Sequence, residues 1–290
     1  MASLKRIAVL THRNDTFEGG RYFLSLLSEC WKAAGLDVIL LRGTEQYVPA
    51  DVLILHVDLT VTPEEYVSFA QRYPTVINGR VLDISKRRVS NYILGPESAY
   101  GGPVIVKTDL NCGGKHERKM ERGTPLHQLA DKILRKFTWQ RTGNISTAEY
   151  RIYSDLRSVS QRIWKNPRLV VEKFLPEREG DYYCSRHWLF FGDKEYSYRV
   201  FSHEPIVKAG NAVRSECGLP VPEALRAMRA KLGFDYGKFD YTLVDGEPIL
   251  FDANRTPTVA SKAIARGKSL ADELKDGLYS LCDSPVKSSS

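Results

Sequence analysis

No apolar run in the 290 residues approaches the ~18 residues that a membrane-spanning helix needs. The opening stretch, MASLKRIAVLTH, has too short an apolar core to read as a signal peptide. A soluble, cytoplasmic protein is the expectation. Cysteine is scarce: Cys30, Cys112, Cys184, Cys217 and Cys282 are scattered, odd in number and never spaced as CxxC. That argues against a disulfide framework and a paired-cysteine metal site, and suits a reducing compartment. Heptads and internal repeats are absent, as are helix-turn-helix, zinc-finger and RNP signatures, so no specific nucleic-acid partner is expected. Acid is in modest deficit, with 42 Lys and Arg against 35 Asp and Glu, net +7. Such a balance suits anionic partners such as nucleotides and carboxylates. The densest basic stretches, SKRRVSN (85–91) and ILRKFTWQR (133–141), fit solvated helix faces.

What is present is ordinary globular material, 42% hydrophobic and 27% charged. RIAVLTH (6–12), DVILLRG (37–43), DVLILHVDLT (51–60) and TVINGRV (75–81) read as strands. Between them RYFLSLLSECWKAAG, PEEYVSFAQRY and SKRRVSNYIL read as helices. The alternation predicts a small, mostly parallel α/β domain over 1–95. GPESAYGGP (95–103) reads as a linker, after which the pattern changes. A central α+β unit is expected over 96–178 and a second over 179–283, with 284–290 a frayed tail. Within them, VIVK and RLVVEKFLPE read as strands, TPLHQLADKILRKF and VPEALRAMRAKLG as helices. HWLFFGDKEYSYRVFS (187–202) reads as a hairpin turning at Gly192-Asp193, and the segment from 259 as one or two helices. Residues 140–168 carry little readable pattern.

Chemistry concentrates in KFDYTLVDGEPILFDANRTPT (238–258). Asp245-Gly246 is a strong hairpin turn signal. Period-two alternation puts Asp252 and Asn254 on one face, with Asp240 near them on the partner strand. Two carboxylates and an amide oxygen make a hard-oxygen set suited to Mg²⁺. Taken alone, Asp-x-Asn equally well caps a strand end. Upstream, Lys107 ends an apolar strand just before Gly113-Gly114, a pattern that lets backbone and charge approach phosphate, although GxxxxGK[ST] is absent. Lys86 opens a basic helix and is a second candidate phosphate contact. The segment carrying Glu172, Lys173, Phe174 and Leu175 can line an adenine, with Glu179 taking ribose hydroxyls; as a bare strand it is ordinary core.

In this order the segments resemble the ATP-grasp superfamily over roughly 1–262, and in particular the carboxylate–amine ligases of the D-alanine–D-alanine ligase and RimK-like type. The resemblance implies a small α/β domain followed by two α+β subdomains clamping ATP. It also implies Lys86 and Lys107 as the ATP lysines, NCGG as the loop closing on the phosphates, and EKFL as the adenine hinge. Glu179 stands where relatives keep a ribose-binding glutamate. Lys238 resembles the phosphoryl-stabilising residue, and Asp240, Asp252 and Asn254 the ligands of Mg²⁺, two ions in such ligases. The pattern departs at Asp252, where glutamate is usual, and at Lys238, where many ligases carry a forked arginine. Arg199 is the candidate for that forked role. Arg255, with Thr256, Thr258 and Ser261, is the candidate carboxylate contact for an acceptor substrate. Lys208 and Asn211 are candidate substrate-loop residues, and Gly19-Gly20 a candidate anion site. His116 and His187 read as surface or strand residues, and nothing near Cys112 in sequence suggests an activated thiol. The implied activity is ATP-dependent amide formation through an acyl phosphate, from small carboxylate and amine substrates. The alternatives are an ATP-grasp kinase and a non-catalytic nucleotide-binding module.

Overall fold

The structure is a computed structural model that describes residues 4–17, 21–121, 138–143, 145–146 and 149–282. The expected helix over 124–137, the glycine pair at 19–20 and the tail at 284–290 lie outside the described residues. Apolar strands without alternation must be covered on both faces. β1 (Arg6–Thr11) and β3 (Val52–Leu55) are such strands, flanked by β2 (Asp37–Arg42) and β4 (Val76–Ile77). The four pair in parallel in the order β2-β1-β3-β4. Ile7 and Val9 face the helix Phe23–Ala33 through Leu24, Leu27 and Trp31. Ala8 and Leu10 face the helix Glu64–Ala70 through Tyr66 and Phe69.

A second, antiparallel sheet follows. β5 (Ile93–Leu94), β6 (Val104–Thr108), β7 (Arg151–Tyr153) and β8 (Leu169–Lys173) run in the order β5-β8-β6-β7 over a core of Val104, Val106, Ile163 and Val171. A third holds β9 (Glu177–Glu179), β10 (Tyr182–Phe191), β11 (Lys194–Ser202), β12 (Arg214–Cys217), β13 (Tyr236–Val244) and β14 (Glu247–Asn254). Its order is β12-β11-β10-β13-β14, with β9 on β10. Two helices, Ile264–Leu274 and Gly277–Cys282, close the described chain. Among the described residues no helix is long and apolar enough to cross a membrane.

The first and third sheets share one apolar core: Ile7, Val9 and Trp31 pack with Leu189, Phe191, Tyr236 and Leu270. Two polar side chains lock that junction. Asn78, in the left-handed region at φ 60°, donates its amide N–H groups to Tyr236 O and accepts from the backbone N–H groups of Asp235 and Tyr236. Arg255 is completely buried. Its guanidinium donates to Val57 O at 3.2 Å, Val81 O at 2.6 Å and Leu59 O.

Several elements differ from the sequence expectation for local reasons. The helix expected over 85–94 stops after Lys86–Val89, because Ser90 Oγ turns to the Glu172 carboxylate and accepts from Tyr92 N. Ile93–Leu94 then pairs with β8. The strand expected over 75–81 is only Val76–Ile77, since Asn78 is taken by the junction.

Removing the Arg255 guanidinium strands three buried carbonyls. Arg255→Ala is expected to cost about 3 kcal/mol of unfolding free energy. The exposed Arg266→Ala should stay within about 0.5 kcal/mol. Urea denaturation of both checks the difference, and equal effects would contradict the clamp.

Candidate active site

Period two along β6 turns Val104 and Val106 into the core and Ile105 and Lys107 into a cavity of about 240 Å³. An ammonium group in such a wall needs a counter-charge. Lys107 is 6% exposed and pairs with Glu172, which also takes the Ser90 hydroxyl. Its ammonium lies 5.2 Å from the Phe251 ring. Across the cavity Lys86, 4% exposed, pairs with Asp252. Burial opposes its charge, but Asp252 outweighs burial and raises its pKa. Lys173, Phe174 and Leu175 line the same cavity, with Cys112, Tyr150, Ile206, Lys208 and Phe251. So six of the nine expected nucleotide residues line one cavity: Lys86, Lys107, Glu172, Lys173, Phe174 and Leu175.

β13 and β14 form the expected hairpin, with Asp245 and Gly246 both at positive φ in the turn. Asp240 stands directly opposite Asp252, and Lys238 opposite Asn254. The alternation is not clean, however. A bulge between Asp240 and Tyr241 leaves Phe251 without a partner residue. Leu250 and Ala253 both stay in the apolar core, while Phe251 and Asp252 both line the cavity. Lys238 Nζ lies 3.0 Å from Asp240, and His187 Nδ1 on β10 lies 2.7 Å from the same carboxylate. Burial would raise Asp240, but Lys238 and His187 outweigh it and hold its pKa below the usual carboxylate range. Burial lowers His187. Asn254 Oδ1 accepts from Thr256 N at 2.8 Å, which fixes the amide.

NCGG forms a tight turn, with Cys112, Gly113 and Gly114 all in the left-handed region. Gly114 sits at φ 67°, a backbone conformation that strains any residue with a Cβ, so the turn favours glycine there. The following helix, Lys115–Glu121, is moored to the first sheet's loops. His116 Nδ1 lies 2.6 Å from Asp58, and Glu117 accepts from Thr60 N at 2.8 Å.

The remaining expected site residues sit elsewhere. Gly113 and Gly114 are buried beside the cavity without lining it. Arg255 is spent in the junction described above. Arg199 stands in register with Arg186 and Glu216, one residue on from Tyr198, which stacks on His187 at 4.6 Å. Alternation therefore turns Arg199 to the sheet face opposite Lys238 and Asp240. There it pairs with Glu177 at 3.3 Å, Glu179 at 2.8 Å and Glu216 at 2.7 Å. Glu179 is held by Arg199 and Arg214 and does not line the cavity. Residues missed from sequence include Ile105, Tyr150, His187 and Phe251. Ile105 was readable, two positions before Lys107. Phe251 was hidden by the bulge, and His187 by a strand order that sequence does not reveal.

Lys86 is the buried member of its pair and Asp252 the half-buried one, at 5% and 26% side-chain exposure. Their removal should therefore be unequal. Asp252→Ala leaves a buried ammonium and is expected to cost about 3 kcal/mol. Lys86→Met keeps the volume without the charge and should change stability by less than about 1 kcal/mol. Denaturant titration of the two variants reads the asymmetry, and the reverse order would contradict it.

No protein-family model matches the chain, and no curated protein matches it by sequence. Solved structures do match. A RimK domain ATP-grasp protein from Sphaerobacter thermophilus aligns at 17% identity and TM-score 0.50, covering 94% of this chain and 99% of its own. The ATP-grasp ligase PsnB, solved with a minimal precursor, aligns at 10% identity and TM-score 0.51, covering 96% of this chain and 99% of its own. Together with the parallel sheet followed by two antiparallel sheets, these likenesses give the chain the ATP-grasp fold.

Proposed function

We propose that the chain is an ATP-dependent carboxylate–amine ligase working through an acyl phosphate. The observation that carries this reading is the convergence of two buried lysines, Lys86 and Lys107, on one cavity edged by the Asp240–Asp252 pair. In this reading Lys86 and Lys107 leave their carboxylates and hold ATP phosphates. The strand end Lys173-Phe174-Leu175 offers backbone and apolar surface to adenine. Asp240, Asp252 and Asn254 form a hard-oxygen set at one end of the hairpin, and they fit Mg²⁺. When bound, Mg²⁺ supplies charge neutralisation for the transferring phosphoryl group. Lys238, beside Asp240, stabilises the same group. The Gly113-Gly114 turn keeps water from the intermediate.

The substrate carboxylate attacks the γ-phosphorus, and the bond to ADP breaks. The amine then attacks the acyl carbon, and phosphate leaves. Positioning and charge do most of the work. Arg199 and Arg255 have no catalytic part here, because both guanidiniums are already engaged. Glu179 reaches a ribose only by giving up Arg199 or Arg214.

ATP consumption with Mg²⁺ is to be followed over pools of amino acids and small carboxylic acids. The expected result is ADP plus phosphate that requires both an acid and an amine, lost in Asp252→Asn with Asn254→Ala. ADP without phosphate release would instead identify a kinase, and wild-type-like turnover in the double variant would overturn the metal set.

A further inference from the structure

A row of four side chains crosses the third sheet at the hairpin. Tyr198 on β11 stands opposite His187 on β10, His187 opposite Asp240 on β13, and Asp240 opposite Asp252 on β14. Directly opposed residues put their side chains on one face, so the four are neighbours there. Trp188, the next residue along β10, turns to the apolar core behind. The imidazole of His187 is fixed from two sides. Its ring stacks on Tyr198 at 4.6 Å, and its Nδ1 lies 2.7 Å from Asp240 Oδ1. A carboxylate beside Lys238 is ionised and only accepts, so Nδ1 carries the hydrogen and donates it. The two side chains are 14% and 19% exposed, and a hydrogen bond so shielded is stronger than one in water.

Lys238 Nζ meets the same oxygen, Asp240 Oδ1, at 3.0 Å. Both donors therefore fall on one oxygen, and among the described residues no group hydrogen-bonds Oδ2. In the ligase reading Lys238 turns to the transferring phosphoryl group. His187 is then the donor that stays on Oδ1.

We propose that His187 is a positioning residue for the divalent cation, holding Asp240 by Oδ1 so that Oδ2 is presented as a single oxygen ligand. This rests on the metal reading above. His187 touches neither cation nor substrate and acts through Asp240, while Tyr198 keeps the ring in the plane the bond needs. Its part differs from that of Lys86, which neutralises Asp252 through an ion pair. His187 gives Asp240 one directed hydrogen bond, and a carboxylate without such a partner is free to rotate. Outer partners of this kind are worth about 10- to 100-fold in metal affinity.

The test is calorimetric titration of Mg²⁺ alone into the full chain and three variants. His187→Phe keeps a ring to stack on Tyr198 and loses the donor. His187→Asn places an amide N–H close to where Nδ1 stands, and His187→Gln carries it one carbon too far. His187→Phe and His187→Gln should each weaken Mg²⁺ binding about tenfold, and His187→Asn should restore it to within about twofold of the parent. A purely structural role would follow ring shape, so it would favour Phe over Asn. If the Phe variant unfolds, the comparison of Asn with Gln decides. Equal affinity in the parent and all variants, tighter binding in the Phe variant, or no rescue by Asn would overturn the role of His187 and leave the metal reading standing. A parent chain that binds no Mg²⁺, with or without ATP, would overturn the metal reading and this role together.

Discussion

Two ammonium groups buried in the wall of one cavity set the terms for everything around them. Neither Lys86 nor Lys107 can sit there alone, because an unpaired charge out of water costs several kcal/mol. Each is matched by a carboxylate from another segment: Asp252 from the hairpin and Glu172 from the second sheet. Those pairs tie the helix start at Lys86 to the third sheet, and join two neighbouring strands of the second. The cavity thus neutralises itself with the groups that, in the ligase reading, meet phosphate and metal. In the ligase reading, nucleotide binding is a change of partners, with Lys86 moving from Asp252 to phosphate as the carboxylate turns to Mg²⁺.

Such an exchange needs a scaffold that does not yield. The first and third sheets supply it through their common core and through Asn78 and Arg255. The segment leaving the hairpin is fixed on the way: Thr256 bonds both Asn254 and Asp58, and Val259 N donates to Arg21 O at 2.7 Å. The second sheet has a separate core and meets the rest at the cavity. The glycine turn is held from the first sheet's loops by Asp58 and Thr60. Hairpin, glycine turn and junction are thereby linked through Asp58, which contacts Tyr22, His116 and Thr256.

The parallel sheet was legible because β1 and β3 are unbroken apolar runs between amphipathic helices. Lys107 and the Glu172–Leu175 segment read from sequence as apolar strands ending in charge, and pairing of those strands brings them to one cavity. Asp240 and Asp252 were legible from the turn at Asp245-Gly246, which fixes the register. The bulge was not: one unpaired residue at Phe251 leaves no mark on a pattern that already alternates poorly. Arg255 was misplaced for a related reason, since sequence shows an arginine beside the hairpin but not the three carbonyls waiting at Val57, Leu59 and Val81. Arg199 fell on the wrong face because its strand's orientation depends on pairing with β10 and β12.

Partner exchange at Lys86 is open to a direct measurement, the calorimetric titration of Mg²⁺ without nucleotide into wild type and Lys86→Met. Asp252 is neutralised in the first and released in the second. The account predicts that Lys86→Met binds Mg²⁺ alone about tenfold more tightly, an interaction of roughly 1.4 kcal/mol, while binding Mg·ATP more weakly. Equal affinity for Mg²⁺ in the two proteins, with Mg·ATP binding unchanged, would contradict it.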